Sequence, residues 1–160
     1  YTINPGGPNH EELVSLIGIY EYFMDVYNYH FSKNNNNDVN ISEKIKKLNK
    51  LFSEHEQLIA TPLLDYISNR KEIKLIGKNK ITNKNRAPTI SFTFNNKSSY
   101  EISNFLVKNN IATRNDNFYA WRCLEALNID KNDGVVRVSL VHYNKIEEVD
   151  RIINVLDQIK

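Results

Sequence analysis

The spacing of apolar residues predicts two long helices in the first part of the chain. Apolar side chains recur at steps of three and four from Glu11 onward, and again from Ile41 to Asn69. Asn40 or Ser42 is expected to cap the second helix. Pro62 falls inside it and is expected to kink the helix or split it in two. Five apolar residues of the second helix are expected to share its buried face: Ile45, Leu48, Phe52, Leu58 and Ile59.

The second part of the chain alternates between short strand patterns and short helical patterns. The predicted strands are 73–76, 89–94, 111–114 and 134–143, and the predicted helices are 98–109, 118–127 and 144–156. Asn144 is expected to cap the last helix, with Glu147 completing a capping box. The order helix, helix, strand, strand, helix, strand, helix, strand, helix predicts a small sheet packed by helices, an α+β fold or α/β layer.

Composition narrows the class of protein. A chain of 160 residues with 41% hydrophobic residues can bury one core. A net charge of +2 without a basic stripe argues against nucleic-acid and membrane-surface partners. The single cysteine excludes an intramolecular disulfide framework, and no apolar run is long enough to span a bilayer. The four histidines show no metal-ligand spacing, so no metal site is predicted. A cytoplasmic location is the resulting expectation.

The chain is interpreted as the C-terminal part of a longer protein. It begins YTINPGGPNH, without an initiator methionine, and the segment from Ser32 to Asp38 is a polar linker. We therefore expect residues 1–33 to be a loop and helix that continue from a missing large domain, and residues 38–160 to be a small C-terminal domain. The first helix is dense in tyrosine and phenylalanine, which predicts a packing surface for that domain or for a second subunit.

Arg137 is unusual because it lies in the middle of an apolar strand pattern. Val135, Arg137 and Ser139 share one face of that strand. One interpretation is that Arg137 belongs to a solvated sheet face. The other is that it is a rigidly held fork that binds a carboxylate through two parallel hydrogen bonds. The residue types alone leave both interpretations open.

The segment GVVRVSLVHYNKIEEVDRIINVL resembles the terminal signature of the class V aminotransferase family, pyridoxal-phosphate enzymes that include cysteine desulfurases. The signature is an R-x-S strand, a Y-N-x turn and an E-E-[VI]-D helix. NPGGPNHEELVSLIGIYEYF resembles the family's E-x-G-T-P-N segment and the helix after it. RAPTISFTF, followed by a helix and NNIATRNDNFYA, resembles the run that leads to the active-site loop. The three segments stand in the family's order, and the cysteine-desulfurase-like branch is the most similar.

This resemblance implies the C-terminal small domain of a fold-type I pyridoxal-phosphate enzyme that forms a homodimer. Arg137 would bind the α-carboxylate of a small-molecule amino acid substrate, and Asn117 and Tyr119 would shape the loop over it. Gly6, Gly7 and Asn9 would lie near the phosphate of pyridoxal 5′-phosphate. The family's Schiff-base lysine follows a histidine upstream, and no His-Lys pair occurs here. No catalytic residue is therefore assigned to this chain, which alone is expected to be inactive.

Two departures from the family bear on chemistry. Gly7 stands where family members have a threonine whose hydroxyl reaches the cofactor phosphate. Tyr119 stands at the position of the desulfurase nucleophile, and Cys123 follows one turn later on a predicted helix, where a lone cysteine is more often part of the core. A non-catalytic binding module derived from the family is therefore the alternative function. Within the enzyme class, lyase and racemase chemistry are the alternatives.

Overall fold

The structure is a computed structural model that describes residues 6–31, 39–82 and 85–159. Its helices and strands follow the predicted order: α1 His10–Phe31, α2 Ile41–Ser68, β1 Ile73–Ile76, β2 Thr89–Phe94, α3 Ser99–Lys108, β3 Arg114–Asp116, α4 Trp121–Ala126, β4 Val135–Ser139 and α5 Ile146–Leu156. The predicted linker from Ser32 to Asp38 lies outside the described residues. The α+β prediction is confirmed.

The chain forms two compact units, residues 1–51 and 52–160. In the first unit α1 begins after Asn9, whose side-chain oxygen accepts hydrogen bonds from the amides of Glu11 and Glu12 at 3.1 and 3.2 Å. These bonds satisfy two of the amides that a helix start leaves without partners. The functional division between residues 33 and 38 remains a prediction.

Most apolar side chains of α1 are exposed. Eight of them keep between 45% and 84% of their surface accessible: Leu13, Val14, Leu16, Ile17, Ile19, Tyr20, Tyr22 and Tyr29. Tyr27 is the buried residue of this helix. Exposed apolar side chains in this number are typical of a contact surface.

The second unit contains a four-stranded antiparallel sheet in the order β1-β2-β4-β3. One face of the sheet is apolar because side chains alternate along each strand, and Ile90, Phe92, Val136 and Val138 are at most 3% exposed. Apolar residues of α2, α3 and α5 complete the same core. The opposite face carries mostly polar side chains, Arg137 among them, and Lys74 on that face donates to the carbonyl of Leu127 at the end of α4.

One expectation for α2 is wrong, and of the two outcomes expected at Pro62 the split does not occur. The helix is not split at Pro62 but runs without a break to Ser68. A proline removes one backbone hydrogen bond, and here the adjacent residues Ile59 and Leu63 are fully buried in the core, which holds the turn in place. Leu58 is 65% exposed and does not share the buried face. Asn40 is confirmed as the cap, since its side-chain oxygen accepts from the amide of Glu43 at 3.0 Å.

The third strand and the helix α4 begin later than predicted, because local turns take the intervening residues. Helix α3 ends in a Schellman motif, with the amide of Ile111 donating to the carbonyl of Leu106 at 3.0 Å and Asn110 at a φ of 58°. The strand therefore starts at Arg114 and not at Ile111. Residues 117–120 form a turn, so α4 starts at Trp121 and not at Phe118.

The closing strand and helix are separated by a turn, which the bounds predicted from periodicity left out and the Y-N-x signature includes. The strand ends at Ser139, and Asn144 holds the turn by accepting from the amide of Val141 at 2.8 Å. Asn144 is therefore not the cap of α5, which begins at Ile146. The carboxylate of Glu148, and not that of Glu147, accepts from the amide of Lys145 at 2.8 Å. The predicted capping box is displaced by one residue.

This cap makes a pH-dependent contribution to stability. Hydrogen bonds from the Lys145 amide and then from the Asn144 side chain lower the pKa of Glu148. A carboxyl group with a lowered folded-state pKa stabilises the fold above its unfolded pKa, and the contribution is lost as the pH falls through the folded-state pKa. We expect Glu148→Gln to lower the free energy of unfolding near neutral pH, and the difference from wild type to shrink below about pH 4. Urea unfolding between pH 3 and pH 7 measures it.

The control for this prediction is Glu147→Gln. Glu147 is exposed on the same turn and does not accept the Lys145 amide. The variant should retain the wild-type dependence of stability on pH. An equal effect of both substitutions would assign the contribution to net charge and not to the cap.

Candidate functional site

Arg137 lies in the centre of the polar sheet face. In β4 its register partners are Ser91 on β2 and Arg114 on β3. Val135 and Ser139 share its face, as the alternation predicts. A central strand is hydrogen-bonded on both sides, so it fixes the Cα position of Arg137 more firmly than a loop would.

The guanidinium of Arg137 lies over the ring of Phe118. The Cζ atom lies 4.1 Å from the ring centroid, within the range of a cation–π contact. The Nε atom is buried and has no hydrogen-bond partner. Among the described residues no carboxylate pairs with Arg137. The two Nη nitrogens are the arginine's remaining hydrogen-bond donors.

Phe118 is presented by a tight turn with an unusual backbone. The amide of Ala120 donates to the carbonyl of Asn117 at 2.9 Å, and both central residues have positive φ, 51° for Phe118 and 60° for Tyr119. Glycine, asparagine or aspartate normally occupies such positions, because each left-handed residue with a larger side chain costs about 1–2 kcal/mol. This turn therefore holds two strained residues in succession.

Side chains from the loop itself hold this turn. The side-chain oxygen of Asn117 accepts from the amide of Tyr119 at 2.9 Å, and its amide nitrogen donates to the carbonyl of Lys131 at 3.2 Å. The carboxylate of Asp116 accepts from the amide of Asn117 at 2.6 Å. These bonds offset part of the strain and tie the turn to the segment before β4.

Gly134 makes that tie possible. Its φ is +73°, and a Cβ atom at this position would lie 2.2 Å from the carbonyl carbon of Asp116 and 2.6 Å from the nitrogen of Asn117. No side chain fits between these backbone atoms, so only glycine permits the approach. The start of β4 and the start of the turn are thus packed backbone against backbone.

Three candidate residues of the second unit are found in this region, in different situations. Asn117 is partly buried and fixes the turn, as described above. Tyr119 is 99% exposed, so its ring makes almost no contact with the chain. Cys123 is exposed on α4, which contradicts the expectation that it is a core residue. Leu124, the next residue, takes the buried position of this short helix.

Gly6, Gly7 and Asn9 belong to the first unit. Gly6 and Gly7 are exposed, and no atom lies within 4 Å of the place where a Cβ would stand on either of them. Asn9 uses its side-chain oxygen to cap α1. The loop therefore has an open backbone followed directly by a capped helix start.

The charge on the polar sheet face is unbalanced. Arg114 and Arg137 are directly opposite on neighbouring strands, an arrangement that costs free energy for like charges. Asp116 lies on the same strand as Arg114, but its carboxylate is engaged by the Asn117 amide. In the described part of the chain neither arginine forms an ion pair. The face is suited to an anionic ligand.

Metal clusters and membrane-spanning helices are absent from the residues that the structure describes. No three His, Cys, Asp or Glu side chains gather closely enough to hold a metal ion. No helix in residues 6–31, 39–82 or 85–159 combines the length and apolar character needed to cross a bilayer.

Comparison with known proteins identifies the family. A model of the class V aminotransferase family matches residues 43–152, which include the whole sheet and its helices α3 and α4. The chain belongs to the class V aminotransferase family. The family resemblance inferred from the sequence is thereby confirmed, while the segment NPGGPNHEELVSLIGIYEYF lies outside the matched residues.

The chain is similar in sequence to one curated protein and in fold to several solved structures. Aminotransferase-like protein FGM3 of Gibberella zeae is 36% identical over 109 residues, covering 68% of this chain and 27% of that protein. A cysteine desulfurase from Thermococcus onnurineus NA1 has a TM-score of 0.61 at 21% identity, with 69% of this chain and 26% of that one covered. Cysteine desulfurase CsdA of Escherichia coli has a TM-score of 0.56 at 21% identity, with coverages of 66% and 24%.

These comparisons show that the chain shares its fold with one part of longer proteins. The fold is that of the part of these cysteine desulfurases that the chain matches, a small sheet packed by helices, as predicted. The chain spans about a quarter of the length of these relatives.

Two residues of the site were not singled out from the sequence. Phe118 was included only as part of the loop between Asn117 and Tyr119, and its contact with Arg137 has no local signature. Gly134 follows Asp133 directly before a strand pattern, and an Asp-Gly pair in that position is a recognised turn signal. That signal would have identified the glycine, though not the backbone that it packs against.

Proposed function

We propose that this chain is the C-terminal part of a pyridoxal-phosphate-dependent enzyme that acts on an amino acid, and that Arg137 binds the substrate's carboxylate. The observation that supports the role of Arg137 is its lack of a partner. A guanidinium fixed in mid-strand, with its Nε buried and no carboxylate beside it among the described residues, keeps its two Nη groups for an incoming anion.

The chemistry of the donor set supports this ligand. The Nη pair of an arginine matches the two oxygens of a carboxylate in spacing and plane, and the neighbouring charge of Arg114 raises the potential at the same face. By holding the carboxylate, Arg137 would fix the orientation of the bonds at the substrate's α-carbon. Asn117 holds the turn beside it, and Tyr119 projects beyond that turn.

The open loop at Gly6 and Gly7 fits a phosphate group. Backbone without side chains allows amides to approach an oxyanion closely, which offsets the loss of the hydroxyl that family members have in place of Gly7. In the proposed enzyme pyridoxal phosphate supplies the electron sink for bond cleavage at the α-carbon. A large domain supplies the lysine that binds the cofactor, and a second copy of the chain completes a homodimer.

The test is the absorption spectrum of the full-length protein with added pyridoxal phosphate. We expect a visible band from protein-bound cofactor and a spectral change when amino acids are added. Arg137→Ala should keep the band and lose the response to amino acids at the same concentrations. A protein that takes up no cofactor contradicts the enzyme and favours the non-catalytic module.

A further inference from the structure

The contact between Phe118 and Arg137 has a consequence for how the substrate is held. We propose that Phe118 is a positioning residue that sets the plane of the Arg137 guanidinium, so that a carboxylate is bound end-on by the two Nη atoms. This inference rests on the proposed role of Arg137 in binding the substrate carboxylate. The geometry that carries it is the 4.1 Å stacking distance together with the buried, unpartnered Nε.

The buried Nε excludes the other common binding geometry. An arginine can hold a carboxylate either through Nε and one Nη or through both Nη atoms. In this structure the Nε has no accessible surface for a ligand oxygen. A carboxylate held by this arginine is therefore bound by the two Nη atoms, at the end of the guanidinium remote from the buried Nε.

The strained turn indicates that the position of Phe118 is specifically maintained. Phe118 and Tyr119 both adopt positive φ, and the side-chain oxygen and nitrogen of Asn117 each make a hydrogen bond that holds the turn. Such strain persists only where the surroundings enforce it, and it is commonly found at ligand-binding positions. Here the strained turn places the ring of Phe118 over the guanidinium of Arg137.

Preorganisation is the physical benefit. A free arginine side chain loses rotamer freedom when it binds a ligand, and a side chain already held by a ring loses less. Removing the ring should therefore weaken substrate binding without changing the groups that react. The signature is a change in KM with kcat preserved.

The experiment uses the full-length protein loaded with pyridoxal phosphate. We expect Phe118→Leu to raise KM for the amino-acid substrate about 10-fold and to leave kcat within a factor of about two. The higher KM follows because the substitution removes one partly desolvated cation–π contact. Phe118→Tyr keeps an aromatic face and should keep the wild-type KM. Tyr100→Leu is the matched control, since Tyr100 is 65% exposed on α3 and outside the site.

A second measurement tests the stacking without catalysis. In NMR spectra of arginine Nε–H groups, the Arg137 signal, identified by its loss in Arg137→Lys, should be shifted upfield by the ring and exchange slowly with water. Phe118→Leu should abolish the upfield shift.

The outcomes separate the inference from the proposed function. Unchanged KM in Phe118→Leu, in a protein where Arg137→Lys raises KM, overturns the positioning role and leaves the carboxylate role intact. An unshifted, rapidly exchanging Nε–H overturns it as well. A protein that binds no amino acid removes the proposed function, and the substrate role of Phe118 with it, even where the NMR shift is present.

Discussion

In the proposed enzyme, Arg137→Lys is expected to lower kcat/KM for the amino-acid substrate about 100- to 1000-fold. Lysine keeps the charge but replaces a planar fork by a single point donor, so the two parallel hydrogen bonds to a carboxylate are lost. Losing one partner of a hydrogen-bonded charge pair costs about 2–5 kcal/mol, and each 1.4 kcal/mol corresponds to a factor of ten. Steady-state kinetics with the cofactor bound measure the change.

The control for this substitution is Arg151→Lys. Arg151 is an exposed arginine of α5 whose guanidinium donates to the carbonyl of Asn109, and α5 packs on the opposite face of the sheet from Arg137. Its replacement tests whether any loss of a guanidinium reduces activity. A similar fall in kcat/KM for both variants, or no fall for Arg137→Lys, would contradict the assignment of the carboxylate to Arg137.

Thermal unfolding shows whether Arg137→Lys acts through the site or through the fold. The Nε of Arg137 makes no hydrogen bond, so its loss removes no bond from the folded state. The replacement removes the stacked guanidinium, whose contact with Phe118 is worth about 0.5–2 kcal/mol. We therefore expect a small change in Tm beside a large change in kcat/KM.

The order of elements was predictable because the local signals agree with the tertiary environment. Strands β1 and β2 have the predicted bounds, since β2 alternates between a core face and a polar face along its whole length. Helix α3 begins after Ser98, whose side chain and that of Glu101 form a reciprocal capping box. Where period and cap give the same answer, the sequence specifies the element and its ends.

The elements that were misplaced are those whose ends depend on turns. Asn110 and Asn128 each adopt positive φ after a helix. The residue after each of them is a β-branched isoleucine that suggests a strand, but its amide instead makes the Schellman hydrogen bond that ends the helix. Cys123 and Leu58 were expected to be buried, and both are exposed. Each stands beside a residue that takes the core position, and only the packing decides which of two neighbouring apolar residues is buried.

The site was predictable only in part, for a related reason. Alternation along β4 assigns Arg137 to the polar face, and the register with Ser91 and Arg114 follows only from the folded sheet. The stacking of Phe118 on Arg137 joins residues 19 positions apart through a turn with positive φ at two aromatic residues. Propensity argues against such a turn, so the sequence gives no indication of it.

Gly134→Ala is expected to destabilise the 160-residue chain by about 2–5 kcal/mol. The left-handed conformation alone costs an alanine about 1–2 kcal/mol, and forcing a methyl group into packed backbone adds about 1–3 kcal/mol. The methyl would stand 2.2 Å from the carbonyl atoms of Asp116, which are held by the pairing of β3 with β4. Relief requires the turn that carries Phe118 to move, so the upfield shift of the Arg137 Nε–H should be lost too.

Gly77→Ala separates the two causes. Gly77 also has a positive φ, +98°, but no atom lies within 4 Å of the place where its Cβ would stand. Its substitution should therefore cost only the backbone term, about 1–2 kcal/mol, and leave the Arg137 signal unchanged. Urea unfolding compares the two variants with wild type. Equal losses would mean that the contact between Gly134 and the turn at Asn117 contributes nothing beyond backbone strain, and that the turn is free to adjust. A larger loss for Gly134→Ala, together with a changed Arg137 signal, would show that the start of β4 fixes the turn by direct backbone packing.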